Sequence, residues 1–157
     1  MTPMLWFRLA VILGFTLTAV ACAPMATPPP PPAPAPPPAP ASLYQRLGGQ
    51  PAIVAVVDDF VANVAADRRI NRFFRRANVP HLKESLVAQV CQVTGGPCSY
   101  SGPPMRVVHH GMRIRNRDFD ALVQDLVKTL HKFNVPAREQ QELLGILGPL
   151  RTEIVGV

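Results

Sequence analysis

Beyond residue 42, apolar side chains recur at spacings of three and four, and no stretch alternates at period two for long enough to build a strand. Ser42 suits the N-cap of a short helix over 43–47, which Gly48-Gly49 would end. Pro51 fits a first helical turn, and Ile53, Val54, Val57, Phe60, Val61 and Val64 then share one stripe, predicting an amphipathic helix over 51–66. Ile70, Phe73 and Phe74 form an apolar turn within a run of arginines. Pro80 can open a third helix, in which Leu82, Leu86, Val87, Val90 and Val93 line up before Gly95-Gly96. Asn116 or Asp118 is expected to cap a long helix carrying Phe119, Leu122, Val123, Leu126, Val127 and Leu130. Pro136 starts a last one with Leu143, Leu144, Ile146, Leu147 and Leu150, and Pro149 should kink it. The pattern predicts one all-α domain over 42–157, with no internal repeat.

Between the third and the long helix lies Met105-Arg106-Val107-Val108-His109-His110-Gly111-Met112. Met105, Val108, His109 and Met112 fall at i, i+3, i+4 and i+7, so they share one apolar stripe, whereas Arg106, His110 and Arg113 fall on a wet face. Pro103-Pro104 suits the start of this turn and Gly111 its end. An imidazole on an apolar stripe has two readings. One is a core histidine bonded to a carbonyl. The other is an axial ligand to an iron porphyrin, an apolar disc that needs one nitrogen donor and greasy walls.

The first 41 residues are of another kind. Residues 1–21 carry Arg8, then an apolar run from Leu9 to Val20 that is short for a bilayer span. Ala19-Val20-Ala21-Cys22 is similar to the lipobox of bacterial lipoproteins, in which Cys22 would become an acylated N-terminus; a plain secretory signal is the alternative. Either way export is expected. Residues 23–41 are almost only Pro, Ala and Thr, which cannot bury a core and favour a semi-rigid polyproline spacer. The lipoprotein reading gives a signal peptide over 1–21, a lipidated Cys22 with its linker over 22–41, and a membrane tether. Ala23 in place of an aspartate favours the outer membrane and its periplasmic face, by resemblance to other lipoproteins.

Without Arg8 the folding unit keeps 15 Lys and Arg against 10 Asp and Glu, a net +5. The export signal and the lack of aromatic-basic interleaving argue against nucleic acid. With Cys22 lipidated, Cys91 and Cys98 remain, an even pair bracketing Gly95-Gly96-Pro97. In an oxidising compartment that pair is expected to form a disulfide, with two buried thiols as the alternative. The spacing is not CxxCH, so covalent c-type haem is not indicated.

Ser42-Leu43-Tyr44-Gln45-Arg46-Leu47-Gly48-Gly49, then Val57-Asp58-Asp59-Phe60, then Phe73-Phe74, then Gly95-Gly96-Pro97 with Tyr100-Ser101-Gly102, then Met105 and His109, resemble the group 1 truncated haemoglobins in order and spacing. The resemblance covers about 42–155. It implies a two-over-two helical sandwich around haem b, with Phe74 packed on the haem and His109 as the proximal iron ligand. That agrees with the stripe, which had already favoured His109 over His110.

The departures lie on the distal side. A tyrosine usual in the family is Val61 here, and glutamines common on the facing helix correspond to Leu82 and Leu86. Gln89 is the one amide placed to reach inward, with a surface role as its alternative; His81 and His131 are expected at the surface. Met105 and Val108 would complete the haem wall, and Lys83 and Arg106 are candidates to contact the propionates. The arginine cluster of Arg68, Arg69, Arg72, Arg75 and Arg76 reads as a solvated face, with attraction to anionic lipid or to propionates as alternatives.

The resemblance implies reversible binding of O2, CO or NO, with NO dioxygenase or peroxidase-like chemistry among its activities and an unidentified reductase as partner. A different class is a membrane-tethered sensor or carrier module without turnover.

Overall fold

The computed structural model describes residues 40–157, and every regular element among them is helical. Residues 1–39, with the expected signal peptide, Cys22 and most of the spacer, lie outside the described residues. The elements are α1 (Leu43–Arg46), α2 (Gly49–Ala66), a 3-10 turn (Asn71–Phe73), α3 (Val79–Val93), α4 (Met105–His109), α5 (Asn116–Lys132), α6 (Ala137–Leu147), a second 3-10 turn (Gly148–Leu150) and α7 (Arg151–Ile154).

The caps explain most of these boundaries. Ser42 and Gln45 form a reciprocal capping box on α1. Asn78 caps α3 by accepting from the His81 backbone N–H, with Pro80 in the first turn. The start of α5 departs from expectation. Arg115 occupies the cap position, and Asp118 reaches back one turn to accept the Arg115 N–H at 3.0 Å. Its carboxylate satisfies a donor at the positive end of the helix dipole, so it serves better inside the first turn than at the cap. Pro149 does more than kink the last helix. It divides it into α6, a 3-10 turn and α7.

Helices α2 and α3 form one layer and α5 and α6 the other, the two-over-two arrangement. Ile53, Val57 and Val61 of α2 meet Cys91 of α3 in one cluster. Leu43, Leu130 and Leu143 bind α1, α5 and α6 in a second. Val64, Ile70 and Ala121 close a third beside Phe73 and Phe74. Each such aliphatic side chain contributes ~1.5–3 kcal/mol when fully buried. Val54, on the edge of the expected stripe, faces outward.

Polar clips tie the layers together. Asn63 donates to Asp59 at 3.0 Å and to Thr129 at 2.9 Å, Thr129 donates to Asp59 at 3.2 Å, and Lys132 pairs with the same carboxylate. The Lys132 ammonium, outweighing partial burial, holds Asp59 below the usual carboxylate range. Arg46 of α1 pairs with Glu139 and Glu142 of α6.

Candidate functional site

Two adjoining cavities lie between the layers. One, of about 210 Å³, is walled by Phe60, Val61 and Val64 from α2 and by Leu82 and Leu86 from α3. The other, of about 370 Å³, lies beneath α4 and is walled by Ile70, Val108, His109, Met112, Phe119, Leu122 and Ile154. Phe74 and Leu82 line both, so these two side chains mark the plane between them.

His109 is placed by its own helical turn. Pro104 opens α4, and its carbonyl accepts the first turn's N–H groups, from Val107 at 2.9 Å and Val108 at 3.1 Å. Gly111, at φ 77°, takes the left-handed conformation that ends the turn at little cost. Its N–H donates to the Val157 carbonyl, and the Gly156 N–H donates to Ile114, so α4 is held against the segment after α7. The Nδ1 of His109 lies 2.7 Å from the Met105 carbonyl oxygen. A carbonyl only accepts, so Nδ1 carries the proton and donates. In the neutral ring Nε2 then keeps its lone pair, the arrangement a ligating imidazole needs. His110, one residue on, is exposed and lines neither cavity.

Around the second cavity one carboxylate is buried. Asp118 accepts from Arg72 at 3.0 Å as well as from Arg115. Burial pushes its pKa up, but the Arg115 N–H and the Arg72 charge outweigh it and hold the carboxyl below its usual range. Arg72 also stacks over Phe73 at 4.4 Å. Among the described residues no three His, Cys, Asp or Glu side chains converge on one point. His109 is therefore a lone nitrogen donor in an apolar wall.

Of the residues singled out in the sequence, Val61, Phe74, Leu82, Leu86, Val108 and His109 line these cavities. Met105 does not; its sulfur accepts from the Gln89 amide at 3.6 Å, and its carbonyl serves His109. That contact also occupies Gln89, which lines neither cavity. Lys83 pairs with Asp58 at 2.8 Å across α2 and α3, and Arg106 is exposed; neither reaches a cavity wall. His81 and His131 are exposed. Cys91 and Cys98 are joined by a disulfide, with Cα atoms 5.7 Å apart. Sequence reasoning gave no individual role to Asn71, Arg75 and Arg76. Asn71 and Arg75 line the smaller cavity and Arg76 the larger.

A helical two-over-two sandwich that places one imidazole, its Nδ1 bonded to a backbone carbonyl, in the wall of an apolar cavity is a globin-type architecture. The bacterial-like globin family description matches residues 42–155. A group 1 truncated haemoglobin of Mycolicibacterium paratuberculosis is 37% identical over 114 residues, 73% of this chain and 84% of that one. The chain belongs to this family, among the group 1 truncated haemoglobins. Among solved structures, the Fe(III) form of the truncated haemoglobin of Tetrahymena pyriformis superposes with a TM-score of 0.72 at 30% identity, covering 74% of this chain and all of that one. The 2/2 haemoglobin of a Synechococcus species, solved in a cyanomet state with covalently attached haem, gives 0.70 at 31% identity over the same share.

Proposed function

We propose that the chain binds haem b between the two cavities, with His109 as the proximal iron ligand, and that it binds O2, CO and NO reversibly. The observation that carries this reading is the His109–Met105 hydrogen bond, which engages Nδ1 and leaves Nε2 as the nitrogen available to ligate, in an apolar wall. A bare metal ion needs several protein ligands, whereas a porphyrin brings four nitrogens of its own and asks the chain for one. Phe74 and Leu82, which line both cavities, would pack against the disc where the two cavities meet.

When bound, the haem supplies an iron with one coordination position for a diatomic gas. The chain does the rest. Val108, Met112 and Phe119 exclude water from the proximal side, and Met105 orients the imidazole through its carbonyl. Val61, Leu82 and Leu86 keep the distal wall apolar. Export and a lipid tether at Cys22 are part of the same proposal, placing the domain at the periplasmic face of a membrane. Carriage or sensing, rather than turnover, is favoured by that donor-poor wall, because NO dioxygenation needs a long-lived oxygenated state.

The test is an absorption spectrum of the protein from the periplasmic or membrane fraction, in ferric, ferrous and CO forms. A Soret band with a five-coordinate ferrous histidine signature is expected. His109→Ala should lose most haem or that signature, whereas His110→Ala should change little. Equal damage from both substitutions defeats the assignment. Stopped-flow NO consumption separates catalysis from carriage.

A further inference from the structure

Six of the fifteen described arginines and lysines pair with a carboxylate, and of the nine that do not, two lie at the mouth of the site. Arg46, Arg69, Arg72 and Arg151 each pair with a carboxylate, as do Lys83 and Lys132. Arg75 and Arg76 pair with none among the described residues. They follow Phe74 directly, where the chain leaves the 3-10 turn Asn71–Phe73 and has not yet entered α3. In that non-helical stretch successive side chains diverge, and the two arginines separate around Phe74. Arg75 lines the smaller cavity and Arg76 the larger. Both are solvent-exposed.

We infer, building on the haem reading above, that Arg75 and Arg76 form the clamp for the two haem propionates, one guanidinium from each side of the disc. An occupant that spans both cavities meets Phe74 and Leu82 with its body and these two cations with its edge. The pocket walls are apolar, so the occupant's body must be apolar, and two unpaired guanidinium groups at the rim call for an anionic edge. A porphyrin with two adjacent carboxylates has that distribution. Arginine suits it further, because its planar fork binds a carboxylate with two parallel hydrogen bonds. Of the propionate candidates in the sequence, Lys83 and Arg106 do not fit, one being committed to Asp58 and neither lining a cavity, which leaves the arginine cluster.

Haem transfer to an excess of apomyoglobin tests this in the full domain. The double variant Arg75→Ala/Arg76→Ala should lose ferric haem about 3- to 30-fold faster than wild type, the range expected for two exposed ion pairs. Arg75→Lys/Arg76→Lys should recover part of that, and Lys83→Ala or Arg106→Ala should match wild type. Salt should accelerate release from wild type and leave the alanine variant nearly unchanged, because exposed pairs are screened. With haem dimethyl ester, whose propionates are uncharged, wild type and the alanine variant should release at the same rate. An alanine variant that keeps the wild-type rate overturns the clamp, and so does an equal acceleration with the ester. Either result leaves the His109 reading intact where the Soret band and histidine signature persist; loss of those in wild type defeats both.

Discussion

Val61 is 8% exposed and stands on α2 where the family usually has a tyrosine, and its isopropyl group offers no hydrogen. A dioxygen ligand carries more negative charge than CO, so a distal donor holds it by a polarised hydrogen bond worth ~1.5–3 kcal/mol. At ~1.36 kcal/mol per factor of ten, that is about tenfold to more than a hundredfold in release rate. Val61→Tyr should therefore slow O2 release by at least about tenfold and leave CO release nearly unchanged, as flash photolysis and stopped-flow mixing would measure. Gln89 was the competing donor in the sequence, but its amide is engaged by the Met105 sulfur, so Gln89→Leu should barely alter O2 release. The amide that does line the smaller cavity, Asn71, donates to the Ala65 carbonyl at 3.4 Å. Wild-type release as slow as in the tyrosine variant, and hastened by Gln89→Leu or Asn71→Ala, would show a donor that this geometry does not provide. At this scale the sequence was legible where helical phase decides. Phase separated His109 from His110 because they differ by a hundred degrees around the turn. It could not single out Asn71, Arg75 and Arg76 as cavity-lining residues, because they lie in or beside a non-helical turn where no period relates one side chain to the next.

The helices were the most legible elements, because caps and three-to-four spacing are local signals. Their edges were less so. Val93 closed the expected stripe of α3 yet is 37% exposed, whereas Cys91, two residues before it, is fully buried. The bridge expected between Cys91 and Cys98 is present, and it shapes how α3 connects to α4. Cys91 is fully buried and bridges to Cys98. Gly96 sits inside this reversal, where an added Cβ would lie 2.6 Å from both the Cys91 sulfur and the Tyr44 ring, so no other residue fits without movement. The Tyr100 backbone N–H then donates to the Gln92 side chain, and its hydroxyl donates to the Pro103 carbonyl at 3.0 Å. The disulfide thus fixes the loop whose far end is Pro104, the first residue before the His109 turn. Chain-entropy reasoning gives roughly 2–2.5 kcal/mol for so short a loop. Cys91→Ser/Cys98→Ser should lower unfolding stability by about that amount in denaturant titration. A loss under about 0.5 kcal/mol would mean that the loop is held as firmly by Tyr100 and Gly96 alone, since that is the scatter of an ordinary neutral substitution.

For the molecule as a whole, the proposed tether and the surface charge make separable claims about the membrane. A lipoprotein N-terminus at Cys22 would carry several acyl chains, and at ~0.8 kcal/mol per buried CH2 more than one chain is needed for anchoring that does not reverse. The domain's net charge of +5 adds an attraction of its own to anionic lipid, which falls away within a Debye length. These two forces respond differently to the same wash. Acyl anchoring is indifferent to salt, whereas the basic surface, including Arg75 and Arg76 where haem does not engage them, releases as ionic strength rises. Wild-type protein should stay with the membrane fraction through a high-salt wash and leave it only with detergent. Cys22→Ser should move the protein to the soluble fraction, completely at high salt and with some retention at low salt if the basic surface contributes. Retention of Cys22→Ser through the high-salt wash would reject lipidation as the anchor and point to an uncleaved apolar segment or a protein partner. Release of wild type by salt alone would reject it from the other side, leaving charge as the only hold on the membrane.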